Sequence, residues 1–384
     1  MANTFTDVVP ILVAQGLQTL RAACTLPRLV NVDYANEPAN VGDTVNVWIP
    51  GPMAALDVAP TAAPFQANDI QPVKAPIALN KWKHSGFYLT DKQQEEVVGG
   101  VKSKQTGEAV KALAQQINAD IFAQYYKVYG IVGTPGTTPF ATDTTAATNA
   151  RAILNKQLAP LSDRRVVLDV NAEANAMNLQ AFAAAFYTGT AATIVEGQLG
   201  RRFGMDFYMD QQVPTHPSVP FTAGAVTVNG AQAVNQGTLD TGRTGTVSLA
   251  KATNAGTLIA GDILTFAGDL QTYTVLAPVA LIIGNTTVSI SPSLQVVKVG
   301  GEAVTLKAAH VLNFAFHRDA FALVSRPLQS ASANTLEVMS VADPISGITL
   351  RLEVVRQNKQ LLFDFDVLYG TACVRPELAC RIAG

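Results

Sequence analysis

Any chemistry on this chain would have to come from four histidines, three cysteines and a few paired carboxylates spread over 384 residues. His84, His216, His310 and His317 stand apart from the cysteines, and neither HExxH nor CxxC occurs, so the spacing that metal sites need is missing. His317, followed by Arg318 and Asp319, has the residue types for acid–base work, but a structural hydrogen bond is the expected use. His216, between Thr215 and Pro217, reads as a loop residue. Ser162 and Ser325 lack the GxSxG elbow of a serine nucleophile. Asp364 and Asp366, two apart on one strand, face the same side and could hold a cation; a solvated sheet face or an arginine from a partner is the more usual use. Cys373 and Cys380 alternate with apolar residues and behave as small core hydrophobes.

One loop has the ingredients of a phosphate cradle. In GQLGRRFG, Gly197, Gly200 and Gly204 flank Arg201 and Arg202, and glycine-rich backbone beside arginines is what an anion needs. The loop follows a helix and a loop instead of a strand, and lacks the spacing of dinucleotide or P-loop motifs. A turn that places the arginines at a subunit contact is the better reading. No residue is assigned to catalysis, to a cofactor or to a metal.

Composition narrows the field further. Charged residues are 15% of the chain against about 25% in ordinary globular proteins, which suits a protein that hides much of its surface in an assembly. The net charge is −2 and the sequence pI about 6.1, so there is no basic field to attract nucleic acid at large. Cys24, Cys373 and Cys380 make an odd set without metal spacing, which fits a reducing cytosol. The N-terminus, MANTFTDVV, does not read as a signal peptide. The longest apolar run, Val275 to Ile283, is broken by Pro278 and far short of a membrane span. The protein is expected to be made and kept soluble inside a cell.

The elements that must position these residues begin with an amphipathic helix over Thr6–Ala23. Val9, Leu12, Val13, Leu17 and Leu20 fall at helical spacing and Thr6 stands as N-cap; its apolar face can pack on its own domain or on a neighbour. Gly42–Pro50 and Ile77–Thr90 alternate as strands and bracket a Pro- and Ala-rich, nearly uncharged segment, Gly51–Pro76. Together they read as a long projecting hairpin whose apolar residues want a partner surface. Ser103–Val128 then carries Val110, Leu113, Ile117, Ile121, Tyr125 and Val128 along one helical face, with Glu108, Lys111, Gln115, Asn118 and Gln124 turned to water and Gly130 ending the helix. It reads as a long strut lying across a sheet.

Beyond Gly130 the pattern predicts a helix over Thr144–Gln157, a strand over Arg164–Val170, an alanine-rich helix over Ala172–Tyr187 and a strand over Met205–Asp210. From Thr222 to Ala308 only eight residues are charged, and the segments VTVNG, TGTVSLA, GDILTFAG, QTYTVLA, TTVSIS and AVTLKA alternate with turns between them, which indicates a small all-β sandwich or barrel. Ser346–Gln357 and Gln360–Leu368 form a strand pair around an Asn358-Lys359 turn, and YGTACVRPELACRIAG is a further extended piece.

The order of amphipathic arm, extended hairpin and long helix resembles the major capsid protein fold of tailed double-stranded-DNA bacteriophages, with its N-arm, E-loop and spine helix. HRDAFALVSRPL, RLEVVRQNKQLLFDFDVLYG and VRPELACRI are similar to the closing segments of phage coat proteins, in the branch whose A-domain carries an inserted β-barrel. The resemblance implies an α+β fold. Residues 1–35 would be the N-arm, 36–90 the E-loop hairpin and 91–135 the P-domain spine helix. Residues 136–221 and 309–345 would be the two parts of the A-domain, 222–308 the inserted barrel and 346–384 the C-terminal P- and A-domain strands.

The resemblance also implies a non-enzymatic shell protein, procapsid then mature head, in the virion and, during assembly, in the bacterial host cytoplasm. Its partners would be itself in hexamers and pentamers, a scaffolding protein and portal, a decoration protein, and packaged DNA held weakly by residues such as Arg21, Lys102 and Lys104; no membrane is involved. Subunit contacts are expected at Trp48, Met53, Leu56, Phe65, Trp82, Arg201 and Arg202. Two other classes stay open: a nucleotide-binding α/β enzyme using GQLGRRFG, and a carrier whose β-barrel binds glycans or a receptor.

Overall fold

The computed structural model describes residues 8–23, 25–36, 44–49, 53, 55, 73–96, 100–184, 192–219, 226–234, 244–251, 256–328, 335–343 and 345–384. The long helix runs from Gly100 to Phe122, roughly 35 Å at ~1.5 Å per residue. It buries Val110, Leu113, Ile117 and Ile121, four of the residues expected from spacing, and Ala114 besides. The helix Val8–Ala23 lies along it and buries Leu12, Val13 and Leu20 in the same core; Thr6 lies outside the described residues. Gly16 permits this approach, because a Cβ there would sit 3.2 Å from both Val110 Cγ2 and Leu350 Cδ2.

Two readings of this helix need correction. Gly130 does not cap it: the chain tightens to a 3-10 turn at Ala123–Lys127 and Gly130 opens a strand, Gly130–Val132. The carbonyls of Tyr125, Tyr126 and Tyr129 accept instead from Arg381, Thr274 and Thr272, so side-chain donors replace the helical ladder. Asn118 is not turned to water. It is buried, accepts from Leu26 N–H at 3.1 Å, and donates to Asp210 and Gln212 at 2.8 and 2.9 Å.

A five-stranded antiparallel sheet lies under the helix. Its long strand, Gln360–Cys373, is flanked by Thr349–Gln357 and Phe321–Arg326, with Thr335–Ala342 at an edge and Lys81–Thr90 along the other side. Asn358 and Lys359, at φ 38° and 60°, make the mirror-type turn that matches strand twist. The hairpin also differs from expectation. Thr44–Ile49 pairs with Val73–Ala78, and the chain then crosses at Lys81 into the five-stranded sheet. The crossing is possible at Gly370, where a Cβ would meet the Ala78 carbonyl oxygen at 2.4 Å. The base of the hairpin buries Val45, Val47, Ile49 and Ile77 against Ala322, Val324 and Ala372, alternate residues to those that face the helix. The short helix Asp91–Glu96 begins at a reciprocal cap between Thr90 and Gln93.

A seven-stranded mixed sheet completes the body. The terminal strand Ala379–Ala383 lies between Gly130–Val132 and His310–His317, followed by Arg164–Leu168, Met205–Met209 and Arg201–Arg202; Thr215–His216 pairs off the end of His310–His317. Helix Thr145–Lys156 matches expectation. The expected single helix from Ala172 is two: Val170–Asn178, capped by Asp169, and Gln180–Ala183. Leu179 between them is extended, which turns Phe182 into a cluster with Phe140, Phe203 and Phe207 at 5.2–5.9 Å between ring centroids.

Residues 226–306 form a six-stranded antiparallel sheet from Val226–Val228, Gly245–Lys251, Ile263–Phe266, Thr272–Val275, Gly284–Ser291 and Val304–Leu306. Each of the six alternating segments contributes one strand. Its two edge strands meet at a Thr227–Ala303 bridge, and it buries its own apolar core, including Val247, Leu264, Tyr273, Val288 and Ile290.

Candidate assembly surfaces and a buried joint

The residues expected at subunit contacts sit on separate elements. Trp48 is 54% exposed on the hairpin, with the Lys74 ammonium 4.4 Å from its ring centroid. Met53, nearby in sequence, is 68% exposed. Leu56 and Phe65 lie outside the described residues. Trp82 is 62% exposed on the solvent face of the five-stranded sheet, where its indole N–H donates to Asp366 at 2.9 Å. Arg201 is exposed, 3.9 Å from Asp206, and Arg202 donates to the Arg201 carbonyl.

These two arginines form one arm of a tight hairpin with Met205–Met209. Phe203 and Gly204, at φ 52° and 76°, make its turn, and Arg151 donates to the Phe203 carbonyl at 2.8 Å. The glycine loop therefore leads into a strand and offers no helix N-terminus to an anion. A cavity of about 470 Å³ beside it places Glu173 and Asp206 next to Arg201, a poor balance of charge for a phosphate.

Asp364 and Asp366 find partners within the chain. Arg351 donates to both oxygens of Asp366, at 2.8 and 2.5 Å, and lies 3.4 Å from Glu353. Asp364 lies 3.1 Å from His84 Nδ1. Burial pushes the Asp364 carboxyl up, against the pull of His84. Among the described residues no group of three or more His, Cys, Asp or Glu is placed to hold a metal, and no helix is long and apolar enough to cross a membrane. Cys373 and Cys380 are buried, as expected of small core hydrophobes; Cys24 is outside the described residues.

Sequence reasoning misses the main polar feature, the joint between the six-stranded sheet and the body. His216 is not in a loop: it sits in a two-residue strand paired with His310 and is fully buried. Its Nε2 lies 2.9 Å from Asp262 Oδ1 and its Nδ1 2.9 Å from the Tyr125 hydroxyl. Arg381, also fully buried, donates to the carbonyls of Gly261 and Tyr125 at 2.7 and 2.8 Å and to Thr274 Oγ1 at 3.2 Å. Its guanidinium carbon stands 5.1 Å from the Tyr125 ring centroid.

The His310 ring is 5.4 Å from that of His216, and its Nε2 has no hydrogen-bond partner among the described residues. Burial, with Arg381 and His216 nearby, pushes His310 down to about 4, against the pull of the Ala308 carbonyl. Burial also lowers Arg381, to about 9. Tyr125, His216 and Asp262 form a hydrogen-bonded line of the kind that can relay a proton, but His216 and Asp262 are sealed from solvent. They fasten the six-stranded sheet to the 3-10 turn that follows the long helix. His317 likewise has a structural role, accepting from Asp319 N–H at 3.3 Å.

No family model and no curated protein matches the sequence. Solved structures do match across nearly its whole length. A structure from Mycobacterium phage Che8 is similar with a TM-score of 0.50 and 14% identity, covering 94% of this chain and 90% of that one. The capsid structure of the cyanophage P-SCSP1u is similar with a TM-score of 0.51 and 12% identity, covering 94% and 88%. The α+β fold of this chain is a phage capsid fold.

Proposed function

We propose that this chain is the major capsid protein of a tailed phage and assembles with copies of itself into the shell that encloses double-stranded DNA. The observation that carries the reading is the shared fold with the cyanophage capsid over 94% of this chain. Buried apolar area at many subunit contacts would hold the shell, in keeping with the low charge content and the exposed tryptophans. In this reading the helix Val8–Ala23 belongs to the N-arm (1–35), the Thr44–Ile49/Val73–Ala78 pair to the E-loop (36–90) and Gly100–Phe122 to the spine (91–135). Residues 136–221 and 309–345 form the A-domain, 222–308 the inserted barrel, whose edges close at Thr227–Ala303, and 346–384 the closing strands.

The subunits form hexamers and pentamers, with scaffolding, portal and decoration proteins as partners, first in the host cytoplasm and then in the virion. DNA is held by closure, with weak contacts at residues such as Arg21, Lys102 and Lys104. Sedimentation velocity of the purified chain tests the reading: species far larger than one 40.5 kDa subunit are expected, and a single-subunit boundary at all concentrations would reject it. Deleting residues 54–69 is expected to leave a folded subunit that no longer closes into shells, and normal particles would remove the hairpin from the contact.

A further inference from the structure

One buried ion pair takes no part in the joint or in the surfaces above. Lys298 and Asp269 sit on two neighbouring loops of the six-stranded sheet, with side chains 2% and 4% exposed. Lys298 Nζ lies 2.5 Å from Asp269 Oδ2, shorter than the ~2.7–2.9 Å usual for an ammonium on a carboxylate. The rings of Phe266 and Tyr273 wall the ammonium at 4.9 and 6.0 Å to their centroids. The two carboxylate oxygens are held differently. Oδ1 accepts from the Gln271 backbone N–H at 2.8 Å, while Oδ2 accepts from the Tyr273 hydroxyl at 2.8 Å as well as from the lysine. That hydroxyl in turn accepts from Gln295 N–H at 3.2 Å.

We propose that Lys298 and Asp269 condense into an intrachain isopeptide bond, a covalent staple between these two loops. The two side chains already touch, Nζ against Oδ2. Burial alone would raise the Asp269 carboxyl, but the bonds from Lys298, Gln271 and Tyr273 outweigh it and hold it below its usual range, so the pair starts as ions. Out of water, two charges lose the solvation that keeps them apart, and one proton can pass from Nζ to Oδ2 along the short bond. The neutral amine then attacks Asp269 Cγ. The charge that develops on Oδ1 falls on the Gln271 N–H, a preorganised donor.

The nitrogen gives up a second proton, which the Tyr273 hydroxyl relays to Oδ2. The Cγ–Oδ2 bond breaks, and Oδ2 leaves as water. Ammonium and carboxylate become one amide and one water, with no oxidant or further reactant. The staple would pin a turn whose tip, Leu270, is fully exposed, to the loop that carries the exposed Val296, Val297 and Val299.

Trypsin and mass spectrometry of the full-length protein test this directly. Lys298 is the only lysine or arginine between Lys251 and Lys307, so the unmodified chain yields peptide 252–298. The bonded chain resists cleavage at Lys298 and yields 252–307, lighter than its formula by one water, about 18 Da, with 269 and 298 joined in the fragment spectrum. Release of 252–298 at full mass from folded, aged protein would overturn the proposal. Lys298→Arg and Asp269→Ala are expected to abolish the mass loss. Tyr273→Phe, which keeps both bond-forming groups, is expected to slow it about 100-fold, the usual scale of proton relay; an unchanged rate would remove the tyrosine from the step.

Discussion

The six-stranded sheet and the body reach their folded forms by different routes. The sheet of residues 226–306 pairs its strands only with one another and buries a core drawn from its own segment. The body pairs ends of the chain: Lys81–Thr90 lies along Gln360–Tyr369, and the last strand, Ala379–Ala383, fills the place between Gly130–Val132 and His310–His317. Its polar groups are satisfied at similar range, Asn31 to Asp319 and Tyr369 to Asp120. Where the two meet, buried polar contacts through Tyr125, His216, Asp262 and Arg381 join a small apolar cluster of Ile131, Ile263 and Ala383. One region thus closes on its own residues, and the other needs strand Ala379–Ala383 to complete its sheet.

The sharpest way to break this contrast is to remove residues 379–384. The body should lose its cooperative unfolding, because the strand sits inside the seven-stranded sheet, while hydrogen exchange should still find protection within 226–306. The excised segment 222–308 is the reciprocal test and should melt cooperatively with β-type circular dichroism; a disordered fragment would end the contrast. Next in size is Arg381→Ala, which takes the donor from the Gly261 carbonyl and leaves a cavity. It should cost the full-length protein about 3–5 kcal/mol in denaturant unfolding.

Acid should act on the joint before the sheet. His310 is held near 4 in the fold, below its ordinary 6.5. Above pH 6.5 it is neutral folded or unfolded and contributes nothing. As pH falls from 6.5 towards 4 the unfolded chain takes a proton that the folded chain refuses, so stability drops, by at most about 3 kcal/mol. No histidine lies within 222–308. Exchange protection should therefore fade first around His216 and His310, and His310→Gln should flatten the dependence. The smallest effect is expected from His84→Ala, at an exposed pair with Asp364: under about 0.5 kcal/mol.

The same contrast decides what the sequence makes legible. Each strand of the six-stranded sheet is readable because alternation and turns are local signals, and the Asn358-Lys359 turn and the stripe of the long helix are legible for the same reason. Asn118 and His216 are not, since the groups that satisfy them lie 92 and 46 residues away, and a polar residue without a visible partner looks solvent-facing. Arg381 within the apolar ACRIAG is the one clue to the joint. The helix at Asp91 was within reach, for Thr90 and Gln93 stand at capping-box spacing. The paired aspartates share one face of their strand, as a spacing of two requires, but the arginine that Asp366 meets comes from the neighbouring strand. Of the expected contact residues, Trp48, Trp82 and Arg201 lie on three different strands.

The central claim, that this chain builds a shell from copies of itself, is tested most directly by a negative-stain micrograph of the purified full-length protein at modest concentration. The account predicts rings, closed shells or polymorphic particles. A field of single subunits at every concentration and salt would contradict it.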